Sequence, residues 1–149
     1  MLTESLLTIF ERNLNQLKTE ISTYPDGASL WKTSGGISNS AGNLTLHLIG
    51  NLKHYIGAVL GKSGYVRNRP AEFADKHVAR TDLLLRIDET IAVVQNTLSS
   101  LSRDDLQQVF PEQIRAQTAS TEQTLIHLTA HLGYHLGQIN YHRRLVTHE

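Results

Sequence analysis

Apolar side chains in this chain recur at spacings of three and four residues in four separate segments, which is the period of an α-helix. No run of alternating β-branched residues, which would favour a β-sheet, competes with this pattern. The sequence therefore predicts an all-α protein. The clearest apolar stripe lies in the third segment and consists of Leu84, Ile87, Ile91, Val94, Leu98 and Leu101.

The four predicted helices have recognisable ends. A turn sequence at residues 24–27 follows the first helix, the second ends before Gly61, and Ser120 with Gln123 forms a capping-box pattern for the fourth. Four helices joined by moderate connections predict an antiparallel up-down-up-down four-helix bundle, which would occupy residues 1–149 as a single domain. The predicted bounds are about residues 3–23, 40–60, 81–101 and 120–146.

The second predicted helix is apolar on nearly every side, so we expect it to be the central helix. It contains Gly50 and Gly57, which would let a neighbouring element come close to its backbone. A long loop is predicted at residues 61–80, and a loop of this length in a small domain is more often functional than accidental. A second connection is predicted at residues 102–111.

Composition excludes several classes of function. Fourteen basic residues balance fourteen acidic ones, so no net charge attracts nucleic acid or an anionic membrane surface. The chain has no cysteine, which excludes disulfide bonds and zinc–thiolate fingers. Its first residues are charged throughout, unlike a signal peptide, and no run of about eighteen apolar residues could cross a bilayer. We expect a soluble cytoplasmic protein without nucleic-acid or membrane partners.

Six of the eight histidines occur in two of the predicted helices. His127, His131 and His135 are four residues apart, so either adjacent pair could bind one divalent ion together with a third imidazole from the second helix. His127 and His135 are two turns apart and cannot share an ion, and the same holds for His47 and His54. Two pairs therefore remain possible, and His131 belongs to both.

The residues around these histidines indicate what chemistry a metal site could support. Three imidazoles without a carboxylate leave the full double charge on the ion, which favours an anionic fourth ligand such as hydroxide, an enolate or a thiolate. The nearby polar residues are amides: Asn51 is one turn from His47, and Gln138 follows His135 by three. Leu132 replaces the general-base glutamate of the metalloprotease motif, so no protease is predicted.

A simpler interpretation is that these histidines are hydrogen-bonded residues of a polar core, which is the usual role of a single histidine on an apolar helix face. His77 and His148 are expected at the surface. His142 is expected on the exposed side of the fourth helix, near Arg143 and Arg144. The repeat on one helix, with a histidine on a second, makes a metal site the main hypothesis.

Three motifs, NSAGNLTLHLIGNL, YVRNRPAEF and HLGYHLGQINYHRRL, resemble those of a small uncharacterised subfamily of the DinB-like superfamily. This superfamily of four-helix bundles includes the bacillithiol transferases and the mycothiol-dependent maleylpyruvate isomerases. The resemblance covers nearly the whole chain. It implies that His47, His131 and His135 bind one divalent ion, usually zinc or nickel, with open coordination positions at one end of the bundle. It also implies a homodimer.

The resemblance further implies an enzyme that presents a low-molecular-weight thiol to the metal as the thiolate and transfers it to a small electrophilic substrate. The candidate substrate-binding residues are Asn51, His54, Tyr55 and His127. No residue is assigned as a general base.

One other function of the chain and one question about two arginines remain open at this point. The chain could be a metal-binding structural or sensing module without turnover, because the lack of a carboxylate base is equally consistent with that role. Two arginines of the predicted loop, Arg67 and Arg69, could bind a substrate carboxylate, although solvated loop charges are the simpler explanation for them.

Overall fold

The computed structural model describes residues 1–147, and this part of the chain is mainly helical. It also has a 3₁₀-helix at Ala28–Trp31 and a π-helical segment at Lys53–Leu60. The described residues include no β-strand, apart from two isolated β-bridges. The predicted all-α class is confirmed. The α-helices are α1 Leu2–Thr23, α2 Ala41–Leu52, α3 Arg69–Ala74, α4 Arg80–Ser100, α5 Arg103–Gln107 and α6 Thr121–Thr147.

The four long predicted helices are present as α1, α2 with its π-helical continuation, α4 and α6, and their ends differ from the predicted ones by about one residue. The capping box predicted at the start of α6 is also present. The backbone N–H of Gln123 donates to Ser120 Oγ over 3.1 Å, and the backbone N–H of Ser120 donates to Gln123 Oε1 over 3.2 Å. The start of the longest helix is therefore encoded locally.

The prediction of a continuous loop at residues 61–80 is wrong, because α3 lies within it. Asn68 caps this short helix by accepting a hydrogen bond from the Ala71 N–H over 3.3 Å, and Pro70 lies in its first turn. Both features favour a helix start. The second predicted connection likewise contains α5, which begins with a capping box of its own.

The α2 helix is central, as its all-round apolar sequence predicts. All twelve of its residues are buried, and it contacts α3, α4 and α6. The close approach predicted at Gly57 is confirmed, since a Cβ added there would lie 2.9 Å from Val93 Cγ1 of α4. The α1 helix presents a buried stripe to α4 and α6, formed by Leu6, Phe10, Leu14, Leu17 and Ile21.

The predicted up-down-up-down order of the long helices is wrong, because α2 with its π-helical continuation runs parallel to α4. Lys53 Nζ donates to Glu89 Oε2 over 2.8 Å, and eight residues further along both segments a Cβ added at Gly61 would lie 2.6 Å from Thr97 Oγ1. Consecutive helices of an up-down-up-down bundle would run in opposite directions. The long connection between them, which contains α3, allows the chain to return to the same end.

The predicted surface position of His142 is wrong, because its side chain is buried against residues that follow α1. The Tyr24 hydroxyl lies 2.6 Å from His142 Nδ1, and His142 Nε2 lies 2.7 Å from the Lys32 carbonyl oxygen. A carbonyl only accepts, so Nε2 carries the proton and Nδ1 accepts from Tyr24. Burial lowers the pKa of His142, which agrees with a neutral ring. His77 is exposed, as expected, and His148 lies outside the described residues.

Within residues 1–147, none of the helices combines the length and the apolar character needed to cross a membrane.

Candidate metal centre

The three histidines implied as ligands lie together where α2 packs against α6. His47 is buried in α2, and His131 and His135 are partly buried one turn apart on α6. One ring nitrogen from each can be chosen so that all three nitrogens lie within 4.8 Å of one another. Three imidazoles at this spacing could hold a divalent metal ion.

The closest pair of nitrogens has the separation that a shared ion requires. His47 Nε2 and His131 Nε2 are 3.2 Å apart. Two nitrogens that are each about 2.0–2.1 Å from one tetrahedral ion lie about 3.3 Å apart, so the rings need little movement to bind it. The three ring centroids are separated by 4.6 to 5.3 Å. The geometry therefore fits a divalent ion.

His131 is not satisfied in the manner of a core histidine. Its Nδ1 is buried and has no hydrogen-bond partner among the described residues, and its Nε2 contacts His47. A buried polar atom without a partner costs about 1–3 kcal/mol. This observation counts against the interpretation in which the histidines serve only as a hydrogen-bonded polar core.

A carboxylate from α3 orients His47. His47 Nδ1 lies 3.0 Å from Glu72 Oε1, and because the ionised carboxylate only accepts, the proton is on Nδ1. The lone pair of Nε2 then faces His131. Hydrogen bonding of a ligand histidine to a carboxylate is a frequent feature of metal sites, since it fixes the tautomer and makes the ligand nitrogen more basic. The histidine spacing does not predict a role for Glu72, because this residue lies outside the two histidine-bearing helices.

Arg67 holds the other side of the same carboxylate. Its Nε donates to Glu72 Oε2 over 2.8 Å, and its Nη2 donates to Glu72 Oε1 over 2.9 Å. Burial raises the pKa of Glu72, but hydrogen bonds from His47 and Arg67 outweigh this and lower the pKa overall. Arg67 is therefore not a solvated loop charge, because its side chain is largely buried, and the carboxylate that it binds belongs to the protein itself. Arg69 lies over the Phe73 ring, 5.3 Å from its centroid.

A glycine in α2 makes room for this carboxylate. A Cβ added at Gly50 would overlap Glu72 Oε2 and lie 2.6 Å from Glu72 Cδ. The close approach predicted at Gly50 is therefore confirmed, and the approaching group is the side chain that contacts His47. A helical glycine is otherwise unfavourable, so Gly50 serves the packing of α3 on α2.

We expect Gly50→Ala to destabilise the metal-free protein by about 1–3 kcal/mol, because the new methyl group displaces the Glu72 carboxylate. Urea unfolding measures this change. The matched control is Gly137→Ala, since a Cβ at Gly137 in α6 has no heavy atom within 4 Å. That variant should gain about 0.5–1 kcal/mol from helix propensity. Equal stability of the two variants would contradict the packing described here.

His135 is oriented by a residue of its own helix. Its Nδ1 lies 2.7 Å from Gln138 Oε1, and an amide oxygen accepts, so Nδ1 carries the proton and Nε2 is free. Gln138 Nε2 in turn donates to the Tyr134 hydroxyl over 3.4 Å. The spacing of three between His135 and Gln138, visible in the sequence, thus becomes a direct contact.

The electrostatic surroundings keep two of the rings neutral. Burial, followed by repulsion from the neighbouring imidazoles of His135 and His47, lowers the pKa of His131 to about 3. Burial lowers the pKa of His135 as well, and its hydrogen bond to Gln138 opposes the change. Neutral imidazole is the form that binds a metal, so no proton needs to be displaced from these two rings near neutral pH.

The four candidate substrate-binding residues do not belong to the three-histidine group. The His127 ring is 6.4 Å from that of His131, and His127 is not part of the three-histidine group. His54 Nε2 lies 2.9 Å from Glu112 Oε2. The remaining two are Tyr55, with Arg67 stacked 5.9 Å from its ring centroid, and Asn51, whose buried Oδ1 has no partner among the described residues.

A family model described as "Protein of unknown function (DUF1572)" matches residues 3–149. The chain belongs to this family. No curated protein matches it. The DUF1572 region includes all three histidines of the cluster together with Glu72 and Arg67, so the whole candidate metal centre is part of the family domain.

Proposed function

We propose that this DUF1572 chain binds one divalent metal ion, zinc or nickel, through His47, His131 and His135. The observation that carries this proposal is the convergence of three imidazoles whose nitrogens lie within 4.8 Å of one another. Two of these imidazoles already have one nitrogen hydrogen-bonded, to Glu72 and to Gln138. Their free nitrogens are therefore oriented before any ion arrives, which reduces the entropy lost on binding.

We extend the proposal to the fold and the superfamily. The four long helices would form a four-helix bundle, making the chain a single DinB-like domain. Two observations support a bundle: α1 contacts both α4 and α6, and α2 contacts the same two helices. Each long helix then has two long neighbours, as in a bundle. The DinB-like motifs of the sequence include the segments that carry His47, His131 and His135.

The function we propose is that of a metal-dependent thiol S-transferase or a related detoxifying enzyme. An ion with three neutral ligands keeps its double charge and would stabilise a low-molecular-weight thiol as the thiolate. The thiol proton leaves to solvent, a sulfur–carbon bond forms at the electrophile, and the leaving group departs with its electron pair. The protein supplies three oriented imidazoles and, through partial burial of the centre, a surrounding in which this charge is poorly screened.

The proposed partners are a small-molecule substrate and a second copy of the chain, as in the homodimers of DinB-like proteins. We propose no nucleic-acid or membrane partner, because fourteen basic residues balance fourteen acidic ones. His127, His54, Tyr55 and Asn51 remain candidates for contacts with the substrate or the thiol.

A non-catalytic role as a structural or sensing metal module is the second candidate. The observation that favours it is the engagement of Glu72, whose two oxygens are both hydrogen-bonded within the protein. Glu72 is therefore not free to act as a general base. Thiol transfer tolerates this arrangement because the thiolate is already deprotonated, whereas hydrolysis by a bound water would be poorly served.

Metal content and thiol turnover test the two candidates together. Protein purified without an affinity tag should contain about one divalent ion per chain by elemental analysis. The metal-loaded protein should accelerate the reaction of L-cysteine with 1-chloro-2,4-dinitrobenzene, a chelator should abolish this rate, and zinc or nickel should restore it. One ion per chain without turnover across a panel of thiols and electrophiles would favour the non-catalytic module. Protein that is metal-free and binds neither added ion would overturn both.

A further inference from the structure

A groove with a mainly apolar surface opens beside His135, and its polar groups come from Ser38, Asn39, Gln138, two tyrosines and two histidines. It lies between residues 36–39 and the outer face of α6, and its volume is about 430 Å³. This is within the range of small-molecule sites and exceeds what a single aromatic ring system needs. The main side chains that line it are Ile37, Leu44, Tyr134, Tyr141 and Leu145, together with His135 itself.

The lining is unusual for the surface of this protein. Tyr134, Tyr141 and Leu145 form one stripe on α6, and each is about two-thirds exposed, at 66, 65 and 65 %. No Lys, Arg, Asp or Glu is among the residues that line the groove within the described part of the chain. Arg144 stacks on the Tyr141 ring at 5.2 Å without lining the groove. Large exposed apolar side chains grouped in a concave surface mark a binding site more often than chance exposure does.

A second cleft on α6 has the opposite character. It lies beside His127, has a volume of about 390 Å³, and is lined by Arg115 and several polar side chains. A cationic, polar cleft suits an anionic or strongly hydrogen-bonding molecule, whereas the described residues that line the groove beside His135 include no Lys, Arg, Asp or Glu that could pair with a charged ligand. The side chains of the groove therefore favour a ligand that is neutral and largely apolar.

The groove also adjoins the candidate metal centre. His135 belongs to the three-histidine cluster and to the groove wall. Gln138, which holds the His135 ring through the 2.7 Å contact, lines the groove as well. A molecule seated against Tyr134 and Tyr141 would therefore contact groups directly attached to the cluster.

We propose that this groove binds a neutral, largely apolar organic molecule, aromatic or aliphatic, and directs one end of it toward the metal centre. If the bound molecule is a substrate, it is the electrophile of the thiol transfer, and this part of the proposal rests on the proposed function. The charged or polar thiol would then reach the metal centre from outside the groove. As a statement about binding, the proposal stands on the shape and lining of the groove.

The test uses prodan, a neutral naphthalene fluorophore, with the full-length protein loaded with zinc or nickel. Prodan emission should shift to the blue on binding, and Leu145→Glu and Tyr141→Glu should each weaken binding at least about tenfold, because a carboxylate is placed against an apolar ligand. Both side chains are mostly exposed, so the variants should remain folded. Leu85→Glu, at a residue 56 % exposed on α4 and outside the groove, is the matched control and should leave binding unchanged.

Proton NMR of the bound prodan measures its proximity to the ion. Nickel-loaded protein should broaden the prodan resonances and zinc-loaded protein should not. Binding to the nickel-loaded protein without broadening of the prodan resonances, or binding that Leu145→Glu leaves intact, would overturn the proposal. Failure of prodan to bind, with Leu145→Glu converting a dimer into a monomer in sedimentation, would overturn it by assigning the groove to a second copy. Prodan binding by a protein that takes up no metal would refute the proposed function alone, and metal uptake without prodan binding would refute the groove alone.

Discussion

The His131→Ala variant is expected to be purified without the divalent ion that we propose for the wild-type protein. His131 lies closest to His47, with their Nε2 atoms 3.2 Å apart, and it belongs to every pair of α6 histidines that could share an ion. Removing it leaves two imidazoles from different helices. The loss of affinity should exceed the roughly 10–100-fold that is typical when a supporting residue is removed from a metal site. Calorimetric titration of zinc into the metal-free variant and into the metal-free wild type measures the difference in affinity.

The stability of the metal-free variant distinguishes loss of the metal ligand from loss of the folded structure. Because His131 Nδ1 has no partner among the described residues, the alanine variant leaves no new buried group unsatisfied beyond His47 Nε2. The metal-free variant should therefore unfold in urea with a midpoint close to that of the metal-free wild type. A large shift of the midpoint would mean that His131 is mainly a packing residue.

Two further variants decide which pair of α6 histidines binds the ion. His135→Ala should lose the ion as His131→Ala does. His127→Ala should keep it, since the His127 ring is 6.4 Å from that of His131 and His127 lies outside the cluster. The reverse result, with His127 required and His135 dispensable, would move the site one turn along α6 and refute the assignment.

The Glu72→Ala variant should have two separable effects. Metal affinity should fall by about 10–100-fold, because His47 loses the carboxylate that fixes its tautomer. Stability should fall by about 3 kcal/mol, because Arg67, whose side chain is 11 % exposed, is left without its partner. Metal titration measures the first effect, and urea unfolding of the metal-free protein measures the second.

A double variant and a matched control isolate the role of Glu72 in the metal centre. In Arg67→Leu/Glu72→Leu no buried charge is left unpaired, so stability should recover while metal affinity remains low. Glu112→Gln is the control, because Glu112 Oε2 lies 2.9 Å from His54 Nε2 in a comparable but more exposed pair outside the cluster. Glu112→Gln should change the metal affinity and the stability of the metal-free protein very little. Unchanged metal affinity in Glu72→Ala would show that the carboxylate only packs α3 onto α2.

Local sequence determined most of the secondary structure of this protein. Apolar spacing predicted the four long helices with ends accurate to about one residue, because helix period and capping depend on neighbouring residues. The spacing of four within one helix likewise places His131 and His135 one turn apart on the same face. The local sequence also contains the signal for α3, the cap at Asn68 followed by Pro70, but apolar spacing does not reveal this helix because the surrounding segment is rich in polar residues.

Tertiary structure decided how these local elements meet. The axial offset between α2 and α6 selects His135 rather than His127 as the neighbour of His47, and no spacing within one helix contains that offset. Two other packing arrangements join residues 25 or more apart in the chain: the residues after α1 bury His142, and α3 brings Glu72 across Gly50 to His47. Helix period fixes positions along one segment, whereas the side chains that fill the space between segments fix the distances from one segment to the next.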